Sequence, residues 1–155
     1  MNDSEIKVGL SGGISGNYSV VVEIKGRGFA KYQNASMAKF QYVTKVDEIL
    51  PATGSYFGGR VINITGSSFS PEAAENEVHV GDQVCATVSA SENIVRCTTP
   101  SKEELTSDLE YQVNVMSRQI SNSTCMGICS FTYLPIALSP FIIGISHQSI
   151  NQSNI

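Results

Sequence analysis

Charge is scarce in this chain: charged residues make up only 15% of its 155 residues, whereas hydrophobic residues make up 41%. This composition excludes a disordered, highly charged polymer and supplies enough apolar side chains to bury a core. Ser, Thr, Asn and Gln provide much of the polarity, which is typical of antiparallel sheets with exposed strand faces. No long stretch has the periodicity of an amphipathic helix. We therefore predict an all-β fold.

Basic residues are fewer than acidic ones. Ten Lys and Arg stand against 14 Asp and Glu, which gives a net charge of −4. A nucleic-acid binder needs clustered basic side chains, because release of counterions from the phosphates supplies much of its affinity. The densest basic group here, Lys25, Arg27 and Lys31, is best explained as a solvated loop. We expect no nucleic-acid partner.

Long apolar runs are also missing. The longest covers residues 134–145 and is interrupted by Pro135 and Pro140, whereas a membrane-spanning helix needs about 20 residues. We therefore expect that this segment does not span a membrane. The first residues are polar and acidic, without the apolar stretch of a secretion signal.

Patterns for catalysis and metal binding are absent as well. The two histidines, His79 and His147, lie far apart, and His79 stands on a predicted strand with its side chain outward. The neighbouring acids Asp47 and Glu48 would point to opposite faces of a strand, which separates them. The glycine-rich segment 11–16 lacks the Lys-Ser/Thr ending of a phosphate-binding loop, and no EF-hand pattern occurs. We expect no catalytic residue, no metal site and no cofactor.

N-x-S/T sequons are abundant by contrast. Six occur, at Asn2, Asn17, Asn34, Asn63, Asn122 and Asn151. Such sequons accept N-linked glycans in secreted proteins. In segment 60–65 the residues alternate, so that Ile62 and Ile64 share the inner face and Asn63 points to solvent. We predict glycosylation at four of these positions, namely Asn63, Asn122, Asn34 and Asn17.

The four cysteines are an even number, as disulfide pairing requires. Cys85 and Cys97 flank two predicted strands, and Cys125 and Cys129 could close a small ring. Three pairings are possible, and the residues alone do not choose among them. Structural zinc is the alternative, but it prefers pairs of close ligands such as C-x2-C, which do not occur here. Disulfides together with sequons predict a location on the extracellular side of the plasma membrane, or a secreted protein.

The chain also repeats itself. The segment beginning at Tyr18 matches the one beginning at Tyr111, 93 residues later, and Phe40 matches Phe131, 91 residues later. Residues 46–49 match 142–145 in the same order, 96 residues later. A period of this length suits one immunoglobulin-sized sandwich. We expect three parts: 1–44, the end of one repeat; 45–134, a complete repeat; and 135–155, the start of a third. The chain would then be a fragment.

Strand signals in the complete repeat are short and evenly spaced, with a two-residue hairpin signal at Gly81-Asp82. Strands are predicted near 46–50, 60–65, 77–80, 84–88, 93–98, 110–117 and 128–134. The predicted core consists of Ile62, Ile64, Phe69, Val78, Val80, Ile94, Tyr111, Val113, Val115, Phe131 and Tyr133.

The ordered landmarks of residues 45–134 resemble an IPT/TIG domain. They are Ile49-x-Pro51-x-x-Gly54, Gly58-Gly59-x-x-Ile62-x-Ile64-x-Gly66-x-x-Phe69, Val78-x-Val80-Gly81-x-x-x-Cys85, Ile94-x-x-Cys97-x-x-Pro100, Tyr111-x-Val113-x-Val115 and Phe131-x-Tyr133. Plexins, hepatocyte growth factor receptors, fibrocystins and Rel-type transcription factors share this domain. The resemblance implies an immunoglobulin-like (early-set) β-sandwich. The repeats and sequons make the chain most similar to the fibrocystin-like cell-surface members.

In the extracellular members of the family, the cysteines that match Cys85 and Cys97 are typically joined, whereas the pair Cys125 and Cys129 is less general. The resemblance implies a non-catalytic binding or spacer module that contacts protein partners, neighbouring repeats or glycan-bearing ligands. The alternatives are an intracellular Rel-like module for DNA binding, and an accessory domain of a carbohydrate-active enzyme. Fold alone does not decide among these functions.

Overall fold

The computed structural model describes residues 6–31, 38–103, 106–120 and 122–138. Its strands are β1 (Gly16–Ser19), β2 (Glu23–Ile24), β3 (Gly28–Phe29), β4 (Lys39–Tyr42), β5 (Lys45–Leu50), β6 (Thr53–Ser55), β7 (Val61–Ser67), β8 (Asn76–Val80), β9 (Gln83–Ala90), β10 (Ile94–Thr98), β11 (Leu109–Ser117), β12 (Thr124–Ile128) and β13 (Ser130–Leu134). Two 3-10 turns, Ala73–Glu75 and Ile136–Leu138, complete the regular structure of this part of the chain.

Strands β5 to β13 form one sheet of nine strands in the order β12-β5-β7-β10-β9-β8-β11-β13-β6. The sheet curls at β9, which pairs with β10 on one side and β8 on the other, so that its two halves enclose one core. Neighbouring strands are antiparallel except at the two edges, where β12 runs parallel to β5 and β13 parallel to β6. The predicted all-β, immunoglobulin-like sandwich is confirmed.

The core lies between the two halves of the sheet and is lined by alternate residues of each strand. On β7, Ile62 and Ile64 are fully buried while Asn63 between them faces outward and is half-buried. Phe69, Phe131 and Tyr133 are the largest fully buried side chains. Except for Ile94 and the half-buried Tyr111, the predicted core residues are buried as expected.

Ile94 is the exception, because 38% of it is exposed and Val95 occupies the core in its place. Cys97 shows which residues of β10 face the core. Its side chain is fully buried, so Val95, two residues earlier on the same strand, also points inward. The prediction that Ile94 belongs to the core is therefore wrong.

A bulge on β5 gives a second difference from expectation. Val46 pairs with Gly66 and Glu48 with Thr65, which leaves Asp47 as an extra residue. Asp47 and Glu48 are therefore both exposed, and the expectation that they point to opposite faces is wrong.

The N-terminal segment forms a separate two-stranded ribbon of β1 and β4, in which Tyr18 lies opposite Phe40. In the sandwich, Tyr111 on β11 lies opposite Phe131 on β13 in the same antiparallel manner. The rings of Tyr18 and Tyr42 meet edge to face at 5.5 Å and 78°. The equivalent rings of Tyr111 and Tyr133 meet at 5.8 Å and 80°.

The β8–β9 hairpin turn supplies the first testable prediction. Gly81 has a φ of 64°, and a Cβ there would lie 2.5 Å from Cδ1 of Tyr111. Gly81→Ala is expected to cost more than the roughly 1–2 kcal/mol of left-handed strain alone, because the Tyr111 ring must also move. The control is Gly59→Ala, where φ is 76° but the space is open. Chemical denaturation followed by circular dichroism measures both; equal losses would contradict the argument.

Candidate functional site

The structure joins Cys85 on β9 to Cys97 on β10, with 5.5 Å between their Cα atoms. Both residues are fully buried. The bond therefore links β9, the strand at which the sheet curls, to its neighbour β10. It closes a loop with a sequence separation of 12 residues.

A second disulfide joins Cys125 and Cys129, whose Cα atoms lie 5.9 Å apart. Cys129 is buried and Cys125 is exposed, so the ring connects the edge strand β12 to the core. The pairing of β12 with β5 is interrupted between Cys125 and Ile128. Gly127 lies in this gap, where a Cβ would stand 2.3 Å from the Asp47 carbonyl oxygen.

The described sequons lie in three different settings. Asn63 is half-buried in the middle of β7, whereas Asn17 on β1 and Asn122 before β12 are exposed. Asn34 lies outside the described residues. The structure therefore places the three described acceptors on different elements and does not assemble them into one site.

A junction joins the ribbon to one end of the sandwich, called here the junction end. The Ser15 N–H donates to the Ser68 carbonyl at 2.9 Å, and the Ser15 hydroxyl donates to the Tyr42 carbonyl at 3.3 Å. Thr44, between β4 and β5, is fully buried, and its carbonyl accepts from the Thr124 N–H at 2.9 Å. Hydrogen bonds of Ser15, before β1, and of Thr44, between β4 and β5, thus hold the ribbon against the sandwich.

A buried polar cluster shapes the loop beside this junction. The Ser70 N–H donates to Asn76 Oδ1 at 3.1 Å and to Ser117 Oγ at 2.9 Å. Asn76 returns a bond to the Ser70 carbonyl at 2.8 Å and a second to the Glu72 carbonyl at 3.0 Å. The Ser70 hydroxyl donates to Glu75 at 2.6 Å. Sequence reasoning missed this cluster; the Ser-Pro-Glu start of a helical turn was its only local signal.

At the opposite end of the sandwich, a lysine fastens a loop to the sheet. The Lys102 ammonium group lies 2.9 Å from Asp82 Oδ1 and 4.3 Å from the centre of the Tyr111 ring. The hydrogen bond from Lys102 lowers the pKa of Asp82. Tyr133 donates to the Pro100 carbonyl at 2.8 Å, and burial raises the pKa of this tyrosine to about 12, so it remains a donor at neutral pH.

One of the two histidines lies within the described residues. His79 lies 2.6 Å from Glu77 on an exposed strand face, as its predicted outward position requires. His147 lies outside the described residues. Within the described ranges, no three His, Cys, Asp or Glu side chains converge as metal ligands would. In the same part of the chain, no helix has the length and apolar character needed to cross a membrane.

The chain is similar to two curated relatives. Fibrocystin-L from Homo sapiens is 39% identical over 82 residues, which cover 53% of this chain and 2% of that protein. Fibrocystin from Canis lupus familiaris is 26% identical over 146 residues, which cover 90% of this chain and 4% of that protein. The chain thus spans only a few per cent of the length of these relatives.

A solved structure of the full extracellular region of Plexin A4 has a TM-score of 0.50 and 23% identity, covering 62% of this chain and 9% of that one. At this identity, the likeness shows the fold alone. The sequence model of the IPT/TIG domain family matches residues 45–133, which cover the nine-stranded sandwich except for its last residue, Leu134. The chain therefore belongs to the IPT/TIG domain family.

Proposed function

We propose that this chain is a non-catalytic extracellular module of a larger fibrocystin-like protein, in which IPT/TIG repeats are joined end to end. The repeats present surfaces to protein partners or to one another and set the spacing between neighbouring domains. In this proposal residues 1–44 end one repeat, 45–134 form a complete one and 135–155 begin a third, most of which lies outside the described residues. Its location is the extracellular side of the plasma membrane or the secreted fluid.

The observation that carries the proposal is the second aromatic cluster. Tyr18, Phe40 and Tyr42 have the same strand pairing as Tyr111, Phe131 and Tyr133. The rings of Phe40 and Tyr42 meet at 5.4 Å and 81°, and those of Phe131 and Tyr133 at 5.0 Å and 76°. Two such clusters in one chain favour two copies of one domain.

The short connection between the ribbon and the sandwich favours a role in setting the spacing of neighbouring domains. Strand β4 ends at Tyr42 and β5 begins at Lys45, so only two residues separate the ribbon from the sandwich. Short connections with buried backbone bonds restrict the motion between neighbouring domains. The bond from Ser15 to Ser68 adds a contact far from the connection in sequence.

Disulfides and sequons favour the extracellular location, because disulfide bonds persist in oxidising compartments. Their combination disfavours the Rel-like alternative, which also needs a basic surface that a chain of net charge −4 does not provide. An accessory domain of a carbohydrate-active enzyme would share the fold, but no described feature favours a sugar ligand. Glycan-bearing partners are therefore the less supported class.

Residual dipolar couplings on the full chain would test the spacer role. We expect the ribbon and the sandwich to share one alignment tensor, because the junction fixes their relative orientation. Ser15→Pro removes the N–H that binds Ser68 and should separate the two tensors. Ser15→Ala keeps that N–H and is the control, for which one tensor should remain. Separate tensors in the unmodified chain would overturn the rigid-spacer proposal.

A further inference from the structure

The two disulfides differ in their access to solvent. Cys85 and Cys97 are both fully buried, on strands β9 and β10, each of which has hydrogen-bonded neighbours on both sides. Of the second pair only Cys129 is buried, whereas Cys125 is exposed on the edge strand β12. Thiol–disulfide exchange begins when a thiolate reaches one sulfur atom of the bond, so access helps to decide which bond reacts. The Cys125–Cys129 bond is therefore the one that a thiol reaches without opening the sandwich.

The ring closed by this bond supports a weakly paired strand. All five residues of β12 are exposed, and in the described sheet the strand pairs only with β5. Cys125 pairs with Val46 and Ile128 with Glu48, but the pairing is interrupted between them. The ring from Cys125 to Cys129 spans this interruption. Because an exposed strand with few paired residues opens readily, breaking the ring is expected to let β12 separate from β5.

The first residue of β12 takes part in the junction between the ribbon and the sandwich. The Thr124 N–H donates to the Thr44 carbonyl at 2.9 Å, and Thr44 is fully buried between β4 and β5. Thr124 directly precedes Cys125. A strand that leaves β5 loses this bond, whereas the bond from Ser15 to Ser68 does not involve β12. The state of the disulfide is thereby linked to one of the contacts that hold the ribbon against the sandwich.

We propose that the Cys125–Cys129 disulfide is a thiol-exchange site, at which extracellular thiol reductants open the ring, release β12 from β5 and loosen the junction. The thiolate of the reductant attacks Cys125 Sγ and forms a mixed disulfide, while Cys129 Sγ leaves as a thiolate and takes a proton from water. A second reductant thiol then attacks the reductant's sulfur in the mixed disulfide and frees Cys125. Two reductant thiols are thus oxidised to one disulfide, and the protein disulfide is reduced to two thiols.

The core already holds a partner for the reduced form of Cys129. Its Sγ atom lies 3.4 Å from the Val46 carbonyl oxygen, to which a neutral thiol can donate a weak hydrogen bond. The buried bond between Cys85 and Cys97 stays closed and keeps the sandwich folded. The inference rests on the proposed extracellular function and extends it, because it makes the rigidity of the junction depend on the thiols around the protein.

The test uses the full chain secreted from mammalian cells behind a secretion signal. The folded chain is incubated with reduced glutathione at neutral pH, its thiols are alkylated, and peptide mass spectrometry follows each cysteine. Cys125 is expected as a glutathione mixed disulfide or an alkylated thiol, and Cys129 as an alkylated thiol. Cys85 and Cys97 are the control within the same chain. They should react at least about a thousandfold more slowly, because a thiol reaches them only when the sandwich opens.

Equal rates for the two pairs would overturn the inference. So would a Cys125–Cys129 bond that glutathione opens only under conditions that unfold the sandwich, as followed by circular dichroism. Four free thiols before any reductant is added would instead contradict the proposed extracellular function.

Amide hydrogen exchange followed by NMR tests the release of β12. After reduction by glutathione, the Thr124 amide should lose protection, while the amides of β7 and β10 keep theirs. Cys125→Ser with Cys129→Ser should show the same pattern without a reductant, and glutathione should change nothing further in that variant. Unchanged protection of Thr124 in the reduced, unmodified chain would contradict the release of the strand.

Discussion

Phe131→Ala is expected to lower the free energy of unfolding by about 3–5 kcal/mol, the usual cost of removing a buried aromatic ring. Phe131 is fully buried, and its ring meets that of Tyr133 at 5.0 Å. Its Cζ atom lies 2.8 Å from where a Cβ would stand on Gly54, so the ring fills the space next to the edge strand β6. Urea denaturation followed by circular dichroism measures the loss.

The matched control is Phe40→Ala, at the equivalent position of the ribbon. Phe40 also lies opposite a tyrosine and stacks on it at 5.5 Å, but it is only half-buried. Its truncation should cost clearly less than that of Phe131, because part of its ring is already in contact with water. Equal losses would mean that the ribbon has a complete core of its own, against the proposed domain boundaries.

Removing the disulfide between Cys85 and Cys97 is the second large effect. Cys85→Ala with Cys97→Ala is expected to lower the free energy of unfolding by about 3 kcal/mol through the restored freedom of the unfolded chain. Because both sulfur atoms belong to fully buried residues, the alanines also leave a cavity in the core. Denaturation under non-reducing conditions measures the sum of the two effects.

The comparison is the double alanine variant of Cys125 and Cys129. That bond closes a ring with a sequence separation of only four residues, and the same chain-entropy model gives about 2 kcal/mol for so short a ring. Cys125 is exposed, so less packing is lost. A larger loss of stability in this variant than in the double variant of Cys85 and Cys97 would contradict the greater contribution expected of the Cys85–Cys97 bond.

Much of the sandwich could be predicted from local patterns. Alternation placed Ile62 and Ile64 inside and Asn63 outside, and Gly81 marked the hairpin, because these features depend on neighbours in sequence. The strand predicted at 128–134 is β13, which begins two residues later at Ser130, whereas the preceding strand β12 was missed. Strand β6 was missed, since only three residues, Thr53–Ser55, pair with β13.

Other features depend on contacts that alternation does not encode. The bulge at Asp47 is set by the register of β5 against β7, which no local pattern specifies. Ser70, Asn76 and Ser117 meet only after the chain folds, because Ser70 and Ser117 lie 47 residues apart. The contact of Ser15 with Ser68 is of the same kind. The candidate glycan and disulfide residues were visible in sequence, whereas their surroundings were not.

The most direct test of the central claim is intact-mass analysis of the full chain secreted from mammalian cells, before and after glycan removal and thiol labelling. An extracellular, disulfide-bonded repeat module predicts four cysteines protected from labelling without reductant. It also predicts a mass that falls when N-linked glycans are released. A secreted chain with four reactive thiols and no glycan would contradict the account.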